Sequence, residues 1–441
     1  MTEFERRRAA FSKAIGDAVA VFPAAPGAVR SNDSAYPYRA DSDLYYLTGF
    51  TEPDCVLVLA PSHPETKSIM FVQQRDRELE VWTGHRLGVE QAQKTLGVDI
   101  AYPMTELDER LPKLLDTSDT LYYALGGNER FNRRIVEHVR TARFARRRAD
   151  KAATSILDPS AVLHEMRVRK SPAEIAGLHR TTEISAAGHL AAMRHSRPGM
   201  HEYEVEAIVE YVFTTRGAQA AYPSIVAGGN NATVLHYDTN RDRIADDALV
   251  LIDAGAELDC YCGDITRTWP MSGRFTSEQR AVYDIVLEAQ RQALALCRPG
   301  VRYNTDVNDA AQRVMIEGLR ELGLLKGSHA EILEKGSHKP FLPHRVGHFI
   351  GLDTHDVGFY RSGGDWRPLE SGMVITIEPG LYIAEDLDVD ARFKGIGVRI
   401  EDDVLITDGG HEILGDGLPK LAADIERTIA EGRESKEPLF A

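Results

Sequence analysis

The sequence predicts an α/β (α+β) protein of two domains. Three observations carry that prediction: the length, an alternation of helix and strand patterns over the first ~170 residues, and an internal repeat in the remainder. At 441 residues the chain is about three times a typical ~150-residue domain and can bury a large core. With 43% hydrophobic and 27% charged residues it falls among globular proteins, which excludes disordered, collagen-like and fibrous classes. An excess of 67 acids over 52 bases leaves a net charge of −15, so nucleic acid and anionic membranes are poor partners and small neutral or cationic ones are favoured.

Strand patterns occur at 18–22, 44–50, 55–60, 68–73 and 120–125, bounded by Pro, Gly, Asn and Asp. A helix pattern at 128–151 is dense in arginine (Arg130, Arg133, Arg134, Arg140, Arg143, Arg146, Arg147, Arg148) but lacks interleaved aromatics, so it reads as a solvated helix face or subunit contact. A new helix opens at Ser171-Pro172-Ala173-Glu174, a capping box with proline at the first helical position. The domains expected are therefore 1–170 and 171–441. Within the second, helix, Arg197-Pro198-Gly199-Met200 and helix recur as a helix opened by Thr276-Ser277-Glu278-Gln279, then Arg298-Pro299-Gly300-Val301 and another helix. Two related helix-helix-strand halves follow from this, with a site expected between them.

Four cysteines (Cys55, Cys260, Cys262, Cys297) are too few for a disulfide scaffold, and Cys260-Tyr261-Cys262 lacks zinc-knuckle spacing. A reducing, cytoplasmic compartment is expected. The charged start, Met1 to Arg8, leads into an amphipathic helix pattern without the apolar stretch of a signal peptide. No run reaches the ~18 apolar residues of a membrane span.

The chemistry is carried by acids on apolar strands: Asp253 ends 248–253, Asp264 begins 264–269, Glu378 ends 374–378 and Glu401 ends 398–401. One acid at a strand end is usually a turn cap. Four are harder to dismiss, because a carboxylate in low dielectric is costly unless paired or bound to a metal, and no base lies beside Asp253 or Glu378 in sequence. The Asp253 to Asp264 spacing suits a hairpin whose carboxylates converge. His344, His348 and His355 fall within twelve residues, and Gly347, Gly351 and the preceding prolines disfavour a helix there. Four carboxylates with one imidazole make a hard, oxygen-dominated set that suits Mn²⁺ or a related divalent ion better than structural zinc. Five side chains exceed the needs of one open catalytic ion. Two ions ~3.5 Å apart, sharing two acids and a hydroxide, account for the count.

The motifs Leu251-Ile-Asp253-Ala-Gly255, Cys262-Gly-Asp264-Ile-Thr266-Arg267-Thr, Gly347-His348-x-Ile-Gly351-Leu-Asp-x-His355-Asp356, Thr376-Ile-Glu378-Pro379-Gly380-Leu-Tyr382 and Gly397-Val-Arg399-Ile-Glu401-Asp402 resemble those of the pita-bread metallopeptidases. The N-terminal run from Asp33 through Tyr36, Arg39, Ser42, Asp43, Tyr46 and Thr48 to Gly49-Phe50 resembles the bacterial aminopeptidase P family, so the likeness spans nearly the whole chain. It implies a creatinase/prolidase-like α/β domain, serving oligomerisation and the substrate rim, followed by a pita-bread catalytic domain.

The implied activity is hydrolysis of the bond between an N-terminal residue and a following proline, with a hydroxide bridging two divalent ions, most simply Mn²⁺. The implied ligands are Asp253, Asp264, His348, Glu378 and Glu401: Asp264 and Glu401 bridge, Asp253 completes one ion, and His348 with Glu378 completes the other. Glu378 is the implied proton shuttle, His236 and His355 stabilise the developing oxyanion, and His344 shapes the pocket. Arg399, two residues before Glu401 and so on the same strand face, is expected to orient a carboxylate. Trp82 resembles a tryptophan that a neighbouring subunit brings to the rim, and Tyr382, four residues after Glu378, is expected as a phenol behind the metal ligands that supports the substrate site. Arg361 and Arg367, in a slightly lengthened segment before Glu378, carry no assigned role.

The resemblance also implies a homo-oligomer, tetramer or dimer, acting on peptides with proline second. A prolidase-type dipeptidase shares all five ligands and is the main alternative. Non-enzymatic pita-bread modules characteristically lose ligands and creatinase lacks the metal set; this chain keeps all five.

Overall fold

The computed structural model describes residues 1–147 and 150–435; Arg148, counted in the arginine-dense stretch, lies outside the described residues. The chain divides into two compact units, Met1–Arg167 and Val168–Ala441.

In the first unit, α1 (Glu3–Ile15) opens on a Thr2/Glu5 capping box. Six strands follow: β1 (Val19–Pro23), β2 (Val56–Leu59), β3 (Ser68–Val72), β4 (Ile100–Pro103), β5 (Thr120–Tyr122) and β6 (Ser155–Leu157), in the spatial order β4-β3-β2-β1-β5-β6. The sheet is mixed, β1 running antiparallel to β2 (Val21 opposite Val58) and parallel to β5 (Val19 opposite Leu121). Its central strands are continuous apolar runs buried on both sides, hence their legibility as short hydrophobic blocks.

The run expected as a strand at 44–50 is instead a helix, α2 (Ser42–Thr48). Its aromatic and β-prone residues imitate a strand, but Asp41 caps the Leu44 amide at 2.9 Å and Gly49, at φ 68°, ends the helix in the left-handed region. The arginine-dense segment is α3 (Glu129–Ala145), capped by Asn128. Phe131, Ile135, Val139 and Ala142 face the core, while Arg134 and Arg140 pair outward with Asp108 and Glu137, a solvated helix face as expected.

The second unit repeats itself. α4 (Pro172–His195), started by the Ser171/Glu174 capping box, packs on α5 (Glu202–Thr215), and β7 (Ile225–Gly228), β8 (Leu249–Asp253) and β9 (Thr266–Pro270) form an antiparallel sheet. α6 (Ser277–Leu296), started by the Thr276/Gln279 capping box, packs on α7 (Asn308–Glu321). The second half then supplies β10 (Val374–Ile377), β11 (Gly380–Ile383), β12 (Ile396–Arg399) and β13 (Asp402–Thr407), with β10 paired to β13 and β11 to β12. One apolar core runs through both halves, including Phe213, Val250, Trp269, Tyr283, Ile375 and Val398. Each large apolar side chain buried there contributes roughly 1.5–3 kcal/mol.

The halves are stitched where it matters for the site. Glu401 N–H donates to Thr266 O (3.0 Å) and Thr268 Oγ1 donates to Arg399 O (3.0 Å), which sets β9 beside the segment carrying Glu401. All four cysteines are buried free thiols. Among the described residues no helix is long and apolar enough to cross a membrane.

Candidate metal centre and active site

Asp253 stands at the last residue of β8, opposite Thr266 of β9, and Asp264 lies just before β9. The turn between them is tight enough that a Cβ on Gly255 would sit 1.6 Å from Gly263 O, so only glycine fits. Tyr222 ties the two acids together, its hydroxyl lying 2.6 Å from Oδ1 of each.

From the other half, His348 arrives on an irregular, non-helical segment. Gly347 before it has φ 146°, and a Cβ there would lie 2.1 Å from Thr376 O. The His348 amide donates to Thr376 Oγ1 (3.1 Å) and its Nδ1–H donates to Phe349 O (2.9 Å). That contact aims Nε2 at Asp264 Oδ2 (3.4 Å) and Glu378 Oε1 (3.8 Å), where it carries a proton between the acids and would offer its lone pair to a metal ion in the neutral ring. Glu378 follows β10, and Glu401 sits between β12 and β13, its Oε2 accepting from Thr266 Oγ1 at 2.6 Å.

Ligand atoms of Asp264, His348 and Glu401 all lie within 4.8 Å of one another. They belong to the wall of a cavity of ≈ 750 Å³ lined from both halves, which also includes Asp253, Glu378, His236, His344, His355, Arg345 and Arg399. A groove of similar volume (≈ 770 Å³) on the first unit, beside Arg8, Lys13, Lys67 and Asp99, gathers no comparable set of acids and imidazoles.

The electrostatics match an acid cluster short of positive charge. Burial raises Glu401 well above the carboxylate range, reinforced by Asp264 and Glu378. Burial and the Asp253 charge raise Asp264, and burial pushes Glu378 up to about 8 against the pull of His348 and Arg399. Burial opposes charge on His348, but its hydrogen bond to Asp264 wins and carries it up to about 9. Asp253 is the exception: burial would raise it, yet the Arg399 guanidinium, 2.6 Å from its Oδ2, holds it low. Protons are drawn to Asp264, Glu378 and Glu401, which have no guanidinium of their own as Asp253 has, and a divalent ion would displace them. Four hard oxygen donors and an imidazole on one wall fit such an ion.

Arg399 donates to a carboxylate, that of Asp253 from the other half and not that of the neighbouring Glu401. It also donates to Thr266 Oγ1 (3.1 Å) and Tyr382 Oη (2.8 Å). Tyr382, on β11, is 2% exposed and stands behind the residues that line the cavity. Its hydroxyl donates to His344 Nε2 (2.7 Å), while His344 Nδ1–H donates to Arg345 O (2.6 Å). Burial and the nearby Arg399 charge lower His344 to about 4, so it is a neutral ring.

His236 and His355 are exposed on the cavity wall, the His355 ring 4.4 Å from that of His348. Trp82 lies on the helix Arg77–Thr83 of the first unit, none of whose residues is buried, and is itself 85% exposed. Arg361 stacks over Trp366 and Arg367 pairs with Glu370; neither lines the cavity.

Sequence reasoning missed Tyr222, Thr266 and Arg345. Tyr222 and Arg345 sit in irregular segments where no periodicity marks a functional face. Thr266 lay inside a quoted motif, and its proximity to Glu401 exists only through the pairing of the two halves.

Comparison with known proteins decides the family. The model of metallopeptidase family M24 matches residues 176–408, and that of the aminopeptidase P N-terminal domain matches residues 4–122. The chain belongs to metallopeptidase family M24. Within it, the chain is 43% identical to Xaa-Pro aminopeptidase of Escherichia coli (strain K12) over 98% of both chains. It is 37% identical to human Xaa-Pro aminopeptidase 3 over 91% of this chain and 78% of that one. Among solved structures, Pseudomonas aeruginosa aminopeptidase PepP superposes with a TM-score of 0.95 at 44% identity, covering 98% of each chain. A zinc-substituted E. coli aminopeptidase P in complex with product gives 0.94 at 43% identity, covering 98% of this chain and 99% of that one. The fold of this M24 member is therefore an N-terminal domain followed by a pita-bread domain, and the family supports divalent metal at the centre.

Proposed function

We propose that this M24 chain is an Xaa-Pro aminopeptidase, releasing the N-terminal residue from peptides with proline second. The observation that carries the reading is the convergence of Asp253, Asp264, His348, Glu378 and Glu401 from both halves on one cavity wall, with acids that attract protons for want of cations. These five would hold two divalent ions, proposed as Mn²⁺ because the donors are mostly hard oxygens. Bound there, the ions lower the pKa of a water molecule from about 15.7 to about 7 and polarise the scissile carbonyl.

The chain's own groups do the remainder. Glu378, whose carboxyl sits 3.6 Å from His344 Nδ1, takes a proton from the attacking water and hands it to the leaving prolyl nitrogen, which must be protonated to depart. His236 and His355, on the cavity wall, donate to the oxygen that gains charge at the first carbonyl. His344 is fixed as a neutral ring by Tyr382 and shapes the pocket for the substrate. Arg399 locks Asp253 and Tyr382 in one geometry. Trp82, uncovered in its own unit, would reach the rim of a neighbouring copy in a tetramer or dimer, with the first unit serving oligomerisation. Four buried free thiols suit the reducing cytoplasm.

The test is a panel of Xaa-Pro dipeptides, tripeptides and longer peptides against metal-stripped protein reloaded with defined ions. Cleavage of tripeptides and longer substrates, restored by divalent metal and most strongly by Mn²⁺, is expected. Cleavage confined to dipeptides would make the chain a prolidase. Full activity after chelation would overturn the metal-dependent reading.

A further inference from the structure

Six acids line the cavity, Asp238, Asp253, Asp264, Asp353, Glu378 and Glu401, against only two guanidinium groups, Arg345 and Arg399. Arg399 is buried and committed to Asp253. Arg345 is exposed at the cavity wall and pairs with no carboxylate among the described residues. It is nevertheless held. Its Nη1 donates to Asn304 Oδ1 (2.6 Å), and its guanidinium lies over the Trp366 ring, 4.9 Å from the centroid.

Both supports are themselves fixed. Asn304 sits in the wide helical turn Tyr303–Val307. Trp366 belongs to a two-residue hairpin, Arg361–Ser362 with Asp365–Trp366, whose turn residues Gly363 (φ 61°) and Gly364 (φ 91°) take the left-handed angles such a turn demands. Arg361 covers the same indole at 4.3 Å. A guanidinium carries five N–H donors in a planar fork that matches a carboxylate, and most of those on Arg345 stay open to an incoming group. With Asp253, Asp264, Glu378 and Glu401 given to metal, Asp238 and Asp353 remain as the other acids of the wall, so one held cation there changes which peptides enter.

We infer that Arg345 is a specificity-determining residue that receives a carboxylate on the part of the substrate downstream of the scissile bond. The inference rests on the aminopeptidase reading above. The carboxylate has two sources, the C-terminus of a short peptide or an acidic side chain after proline. Recognition through substrate binding predicts an effect on KM with kcat nearly retained.

The experiment compares kcat/KM for Ala-Pro-Ala with its C-terminal amide, and for Ala-Pro-Asp-amide with Ala-Pro-Asn-amide. The metal-loaded wild-type protein prefers the carboxylate member of at least one pair roughly tenfold, the size of one charge-assisted contact. In Arg345→Gln that preference falls to near one, carried by KM; Arg345→Lys keeps part of it and Arg345→Glu inverts it. A loss of packing alone would lower both members of a pair equally and leave the ratio. Ratios near one in the wild-type protein, or unchanged in Arg345→Gln, overturn the inference while the aminopeptidase reading stands. Failure of the wild-type protein to cleave any of the four sinks both.

Discussion

Two faces of the catalytic unit treat buried acids in opposite ways, and three consecutive residues display the difference. Glu401 joins Asp264 and Glu378 at the cavity, where burial and mutual repulsion raise them all. Asp402, one residue on and equally buried, accepts from Arg267 Nη2 (2.6 Å), Lys420 Nζ (2.7 Å) and Gln290 Nε2 (2.8 Å). Burial acts to raise it too, but the two cations overcome it and hold it at about 2. Burial alone does not decide the state of an acid; the nearest counter-charge does. The inner face carries its own cations, and the cavity face leaves the position to a metal.

The sharpest way to break that contrast is to remove a cavity acid. Asp264→Ala or Glu401→Ala should lower metal-dependent hydrolysis by roughly 10³-fold or more, since the lost Lewis acid supplies several kcal/mol of barrier reduction. Metal-free Glu401→Ala should melt no lower than metal-free wild type, because an acid pressed against Asp264 and Glu378 has gone, whereas Asp264→Ala also loses the partner that raises His348. Wild-type turnover in either variant would end the dinuclear reading.

The same change on the inner face should cost stability. Asp402→Ala leaves Arg267, 2% exposed, without its buried partner, at a cost of about 3–5 kcal/mol. Thermal unfolding of metal-free protein checks it. A variant as stable as wild type would mean that Arg267 is compensated by its bonds to Pro419 O and Glu401 O alone.

These opposite fates mark what sequence reasoning can reach. The capping boxes at Ser171 and Thr276, the repeat and the apolar strands are local patterns, and the helices and strands form where those patterns lie. The α2 segment misled because its cap and its left-handed Gly49 outweigh strand propensity. At the site, acids on apolar strands stand out by their type. Which acid is paired depends on contacts over more than a hundred residues, Arg267 to Asp402 and Arg399 to Asp253, that no local spacing encodes. Glu401 and Asp402 are therefore indistinguishable until the halves are paired.

A smaller effect, in pH, separates the two faces without mutation. Glu378 (about 8) and His348 (about 9) bind protons more tightly folded than unfolded. Their stabilising contribution is complete below the ordinary values, 4.5 and 6.5, and is lost as pH rises through 8 and 9. Asp402 runs the other way, complete above its ordinary 3.8 and lost as pH falls through about 2. Metal-free protein in chelator should thus lose thermal stability between about pH 5 and 9, and added Mn²⁺ should remove the trend. A flat profile in chelator would show that the cavity acids are compensated by something other than protons.

Asp403 tests the contrast at its finest. It is 1% exposed and pairs with no cation among the described residues: Oδ2 accepts from the Asp264 amide (3.0 Å) and Thr182 Oγ1 (3.2 Å), while Oδ1 has no partner among them. Burial, and the charge of Asp264 beside it, raise it well above the carboxylate range. Asp403→Asn keeps the shape and an oxygen for both donors, and a carboxyl raised this far loses little charge by the change. It should shift stability by less than about 1 kcal/mol, whereas Asp402→Asn removes the counter-charge of Arg267 and Lys420 and should cost several. Thermal unfolding of the two variants side by side decides the matter. Equal losses would mean that Asp403 is ionised in the folded protein, and that the rule relating counter-charge to the state of a buried acid fails at the residue between the two faces.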